Sequence, residues 1–131
     1  KIMIIYVDID GTICSEISDE DIEMQLSRKR EGENVETKKD YMKAKPFMER
    51  IKHINKLYDD GHTIHYWTAR GARSNIDWTD KTREQLKSWG CRYHGLSVGT
   101  KPHFDVYICD KSFNSDSWFA HYINEKNELN P

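Results

Sequence analysis

Asp8-Ile9-Asp10-Gly11-Thr12 sets two carboxylates two positions apart, directly behind an apolar run and directly before a glycine. A pair of this kind suits a divided task, in which one carboxylate attacks as a nucleophile and the other gives and takes a proton. Two further polar residues occupy the same setting: Thr68 follows the run HTIHYW, and Asp110 follows FDVYIC. In open α/β sheets ligands bind beyond the carboxyl ends of the strands, and neighbouring strands lie about 5 Å apart. The pattern therefore predicts one small pocket holding Asp8, Asp10, Asp110, the Thr68 hydroxyl and a lysine. Three carboxylates in one place repel each other, and a hard cation relieves that repulsion. Mg²⁺ is the expected cofactor, since it takes oxygen ligands and needs only one or two carboxylates beside water and phosphate. An Asp-x-Asp-Gly-Thr string by itself is also an ordinary turn. Repetition of the strand-then-polar pattern is what favours a site.

The elements that must carry these residues are readable in outline. Ile2–Val7 is a continuous apolar, β-branched run, expected as a parallel strand buried on both faces. Helix-period patterning runs from Phe47 through Ile51, Ile54 and Leu57 and stops at Asp59-Asp60-Gly61. His62–Trp67 reads as a strand, 78–90 as a helix closed by Gly90, 93–98 as a short strand, 104–109 as a firmer one, and 117–128 as a final helix. A helix is also expected over 18–30, while 28–45 is almost wholly polar and reads as a solvated excursion. Strands alternating with helices imply an α/β fold, a three-layer α/β sandwich around a Rossmann-like parallel sheet. One domain is expected over 1–131, with a small flap or insertion at about 15–45.

Bulk properties narrow the function classes. A chain of 131 residues with 37% hydrophobic and 32% charged residues suits one polar, folded domain. The formal net charge of −2 gives no basic excess to attract nucleic acid. No apolar stretch approaches the ~20 residues that span a bilayer, and Ile2–Val7 is too short for a signal peptide. Cys14, Cys91 and Cys109 form no CxxC pair, so reduced thiols in the cytoplasm are expected rather than a zinc cage or disulfide framework.

With these residues in view, the chain resembles the haloacid dehalogenase superfamily, whose members are mostly phosphatases. Asp8-Ile9-Asp10-Gly11-Thr12 is similar to its first motif. Thr68 in Trp67-Thr68-Ala69-Arg70-Gly71 resembles its strand-end Ser or Thr, Lys101 before Pro102 its lysine, and Asp110 its last acidic motif. All four stand in the right order along essentially the whole chain. A narrower resemblance, through the Trp-Thr-Ala-Arg-Gly string, Trp89-Gly90 and Tyr93-His94, is to short, minimally capped members, some from bacterial capsule and surface-sugar pathways. In such members the last motif often reads Asp-Asp; here Cys109 stands first of the pair.

The resemblance implies a Mg²⁺-dependent phosphomonoesterase working through an aspartyl-phosphate on a small substrate such as a sugar phosphate. Asp8 would be the nucleophile and Asp10 the acid and base. Asp8, Asp110 and the Asp10 carbonyl would hold the metal, and Thr68, Ala69 and Lys101 the phosphate. Arg70 and Arg73 are candidate substrate contacts, because arginine grips anions bidentately. Asp116 is either an outer helper or a helix N-cap. Neither a membrane nor a nucleic acid is expected as partner, and a homo-oligomer stays open. Two rival readings remain: a nucleotide or nucleic-acid-end phosphatase, and a phosphate-binding regulatory module without turnover.

Overall fold

Three parallel strands and the turns at their ends decide where the polar residues meet. The computed structural model describes residues 1–17 and 40–123. Within them the order is β1 (Ile4–Val7), α1 (Met48–Asp59), β2 (Thr63–Thr68), α2 (Thr79–Ser88), β3 (Gly95–Val98) and α3 (Ser115–Tyr122). The strands pair in the order β1-β2-β3. Val7 lies opposite Tyr66, and Thr68 opposite Val98. This is an α/β fold with a Rossmann-like parallel sheet.

Local chemistry explains the boundaries. α1 and α2 both end in a Schellman motif, where a left-handed residue lets the next amides reach back to free carbonyls. The His62 amide donates to the Leu57 carbonyl across Gly61, at φ +100°, and the Cys91 amide to the Leu86 carbonyl across Gly90, at φ +74°. α3 starts at Ser115, two residues before the expected Ser117, because the Asn114 side chain caps it by accepting from the Asp116 and Ser117 amides. β2 alternates cleanly, with Ile64, Tyr66 and Thr68 buried and Thr63, His65 and Trp67 half-buried. Its buried face joins Val7, Ile9, Ile13, Ile51, Ile54, Leu86 and Phe119 in one core.

Several expectations change. β1 is not buried on both faces: Ile4 is 74% and Tyr6 58% exposed, while Val7 is buried. On that second face Tyr6 stacks on His65 at 4.5 Å and meets Trp67 edge-on at 5.8 Å. Residues 104–109 form no strand; they are irregular, with Val106, Tyr107 and Ile108 exposed. A β-rich hexapeptide becomes a strand only by pairing with an edge, and this one pairs with none among the described residues. The end of the polar excursion is partly covered: Met42, Lys43 and Lys45 are exposed, but Ala44 is buried, and Tyr41, on a 3-10 turn over Tyr41–Lys43, packs edge-on against Trp78 at 4.9 Å. The helix expected at 18–30, most of the 15–45 flap and the end of the last expected helix lie outside the described residues. No described helix is long and apolar enough to cross a membrane.

Two glycines separate backbone strain from crowding. Gly71 (φ +82°) and Gly90 (φ +74°) both adopt left-handed backbone, but a Cβ at Gly71 would collide with the Ile76 carbonyl oxygen, whereas nothing lies within 4 Å of one at Gly90. Gly90→Ala is expected to cost about 1 kcal/mol, and Gly71→Ala a further ~1–3 kcal/mol for overpacking. Urea unfolding of both variants checks this, and equal losses would contradict it.

Candidate active site

The loop after β1 is built to present carboxylates. The Thr12 and Ile13 amides both donate to the Ile9 carbonyl at 3.0 Å, and the Gly11 amide donates to the Cys14 carbonyl at 2.9 Å. Gly11 (φ +79°) makes this reversal, which a side chain would strain. The Thr12 hydroxyl donates to Asp8 Oδ2 at 3.2 Å. From the far side comes Lys101, delivered past the end of β3 after the Gly99 amide has bonded to the Thr68 carbonyl at 3.0 Å. Its ammonium donates to Asp8 Oδ1 at 3.1 Å. With side chains 18% and 36% exposed, Lys101 and Asp8 form a partly screened ion pair that still faces solvent. The ammonium also sits 5.5 Å from the Trp67 and Phe104 ring centres.

Asp10 is held from behind. Arg70 Nε donates to Asp10 Oδ2 at 2.9 Å and Nη2 to Oδ1 at 2.8 Å, a bidentate fork. The arginine side chain is fully buried and Asp10 is 20% exposed. Nη1 donates to Gln85 Oε1 at 2.7 Å and to Thr82 Oγ1 at 3.2 Å, and the guanidinium lies 4.8 Å from the Tyr41 ring centre. Cys14 Sγ lies 3.6 Å from both the Ile9 carbonyl and Asp10 Oδ1. A second buried guanidinium, Arg50, fixes the same loop by donating to the Thr12 carbonyl at 3.0 Å and to Asp116 at 2.9 Å.

The structure thus brings Asp8, Asp10, Thr12, Arg70 and Lys101 to the carboxyl end of the sheet. Thr68 is there too, but buried, and its hydroxyl accepts from the Arg70 amide at 3.2 Å rather than opening to solvent. Ala69 is half-buried and Arg73 exposed on the loop that follows. Arg70 is spent on Asp10, so as a substrate contact it is corrected. Asp110 is not brought in: it stands on an exposed turn beside its neighbour Cys109. Asp116 serves the Arg50 contact, and the cap of α3 is Asn114.

Among the described residues no three carboxylate, histidine or cysteine side chains gather as a cation site. Asp8 and Asp10 are each met by a basic side chain, Lys101 and Arg70.

Sequence reasoning missed Arg50, Tyr41, Thr82 and Gln85. A signal existed for three of them. Arg50 falls in the Phe47–Ile51–Ile54 stripe of α1, and Thr82 and Gln85 in the Trp78–Leu86–Trp89 stripe of α2. A polar residue on an apolar face is a buried hydrogen-bonding group in waiting.

No family model matches the chain, and no curated protein matches it. Among solved structures, the crystal structure of a structural-genomics target from Vibrio cholerae aligns with a TM-score of 0.65 at 20% identity, covering 98% of this chain and 96% of that one. At that identity the likeness is one of fold.

The cysteines give a check on this packing. Burial, helped by the Asp10 charge, pushes the Cys14 thiol far up, and burial pushes Cys91 up to about 11. The thiolate is the reactive form. At pH 8 Cys91 should alkylate about 100-fold slower than a free-peptide thiol, near 8.5, and Cys14 slower still, both reacting promptly once urea unfolds the chain. Mass spectrometry of iodoacetamide time courses reads this, and fast native labelling of Cys14 would contradict the buried loop.

Proposed function

We propose that this chain is a phosphomonoesterase that carries the phosphoryl group on Asp8, acting on a small phosphorylated metabolite such as a sugar phosphate. One observation supports this reading above the others: a solvent-facing carboxylate held between a hydroxyl and an ammonium at the carboxyl edge of a parallel sheet. A second carboxylate two residues on is fixed in direction. A structural ion pair needs neither the Thr12 contact nor that second group.

In the first step an Asp8 oxygen attacks phosphorus, the bond from phosphorus to the ester oxygen breaks, and Asp10 protonates the departing alcohol. In the second step Asp10 takes a proton from water, the water oxygen attacks phosphorus, and the acyl–phosphate bond breaks to free Asp8 and inorganic phosphate. One group serves as acid and then base by microscopic reversibility. Lys101 orients Asp8 and offsets the negative charge that phosphate brings to a carboxylate. The Ala69 amide and the Thr68 turn would cradle phosphate oxygens, and Arg73, exposed on the following loop, would meet a second anionic group. In this reading a second layer covers the Tyr6 face and completes a three-layer sandwich. Mg²⁺ belongs to this reading: the Asp8 carboxylate and the Asp10 carbonyl would hold it, and it would offset the charge of the phosphate.

Asp8→Asn should lower kcat on p-nitrophenyl phosphate by about 10⁴-fold or more, as loss of a covalent nucleophile does, while leaving the unfolding midpoint near that of the parent. Full activity in that variant would remove Asp8 as nucleophile. Lys101→Met should cost about 10²–10³-fold, the range for one electrostatic donor. An unchanged rate would make Lys101 a surface residue.

A further inference from the structure

We propose that Arg70 is a positioning residue for proton transfer, fixing the Asp10 carboxylate from behind and making no contact with substrate. The inference rests on the phosphatase reading and assigns the residue a role that its sequence position, next to a phosphate cradle, does not suggest.

The geometry points one way. The Arg70 side chain is fully buried, so no ligand in the pocket reaches it. Nε and Nη2 are both spent on Asp10, and Nη1 on Thr82 and Gln85. The supporting groups are themselves fixed. Gln85 Nε2 donates to the Tyr41 carbonyl at 2.9 Å, which turns Oε1 toward the guanidinium. Tyr41 covers the guanidinium face at 4.8 Å. A lone aspartate rotates about two bonds, but a planar fork gripping both oxygens sets the carboxylate plane. Each oxygen keeps a further lone pair, and the 20% of Asp10 left exposed is the part that can meet the leaving oxygen. Since misplacement of a catalytic group by about 1 Å can cost 10²-fold, this scaffold acts on rate rather than on binding.

The test compares phenyl phosphate with p-nitrophenyl phosphate, two esters of similar shape. Phenolate needs a proton to depart and nitrophenolate hardly does, so loss of acid catalysis falls on the first. Arg70→Lys keeps the charge and loses the fork. Its kcat/KM on phenyl phosphate, which reports the first displacement alone, should fall about 100-fold, within the range for one acid–base group, against less than about tenfold on p-nitrophenyl phosphate. Asp10→Asn should show the same selective loss in kcat/KM. Gln85→Leu, which leaves the Asp10 fork in place but removes its support, should show a weaker one and serves if Arg70→Lys does not fold. An equal fall in kcat/KM on both esters would make Arg70 a substrate grip if KM rises with it, and a structural residue if KM does not. Either overturns the inference alone. A parent chain inactive on both esters, with no calorimetric binding of inorganic phosphate, would remove the phosphatase reading and this inference with it.

Discussion

A guanidinium with no exposed surface clasps both oxygens of Asp10, and most of the site's order follows from that one contact. Removing two charges from water costs several kcal/mol per ion unless every hydrogen-bonding group finds a partner. Each of the three Arg70 guanidinium nitrogens has a partner, on Asp10, Thr82 or Gln85. Such a pair is weak support for stability, and its effect here is on the direction of Asp10. Any rotation of Asp10 would strand a buried cation. Arg50 applies the same constraint at Thr12, so the Asp8–Thr12 loop is gripped by basic side chains arriving from α1 and from the end of β2.

The sheet supplies the remaining precision. Parallel pairing of Val7 with Tyr66 and of Thr68 with Val98 brings three strand ends to one edge. It allows Lys101 to reach Asp8 across 93 residues of sequence. Exposure falls off inward: Asp8 is the most open at 36%, Asp10 and Lys101 are mostly covered at 20% and 18%, and Arg70 is sealed.

Much of this was legible in the residues. The apolar period of α1 and α2, the glycines that end them and the run that becomes β2 follow from spacing and backbone freedom alone. So does the placing of Asp8, Asp10 and Thr68 at strand ends, whereas Lys101 is singled out by the family resemblance. What failed were inferences that needed a partner. The alternation in Phe104–Cys109 says that a strand is affordable, not that an edge receives it, and without that edge Asp110 stays on an exposed turn. β1 reads as doubly buried because continuous hydrophobicity does not say which element covers each face. Arg70 reads as a substrate grip because its type fits anions in general, and only three dimensions show that the anion is Asp10. Tyr41 lay hidden in a polar stretch whose composition signals solvent.

The most direct test follows a phosphoryl group onto the chain. In Asp10→Asn, p-nitrophenol can still depart without an acid while the second displacement lacks its base, so the covalent species should accumulate. Acid quenching within a turnover, peptic digestion at low pH and mass spectrometry should find one phosphoryl adduct on the peptide bearing Asp8. An adduct on another residue, or nitrophenol release with no adduct at any time, would contradict the account.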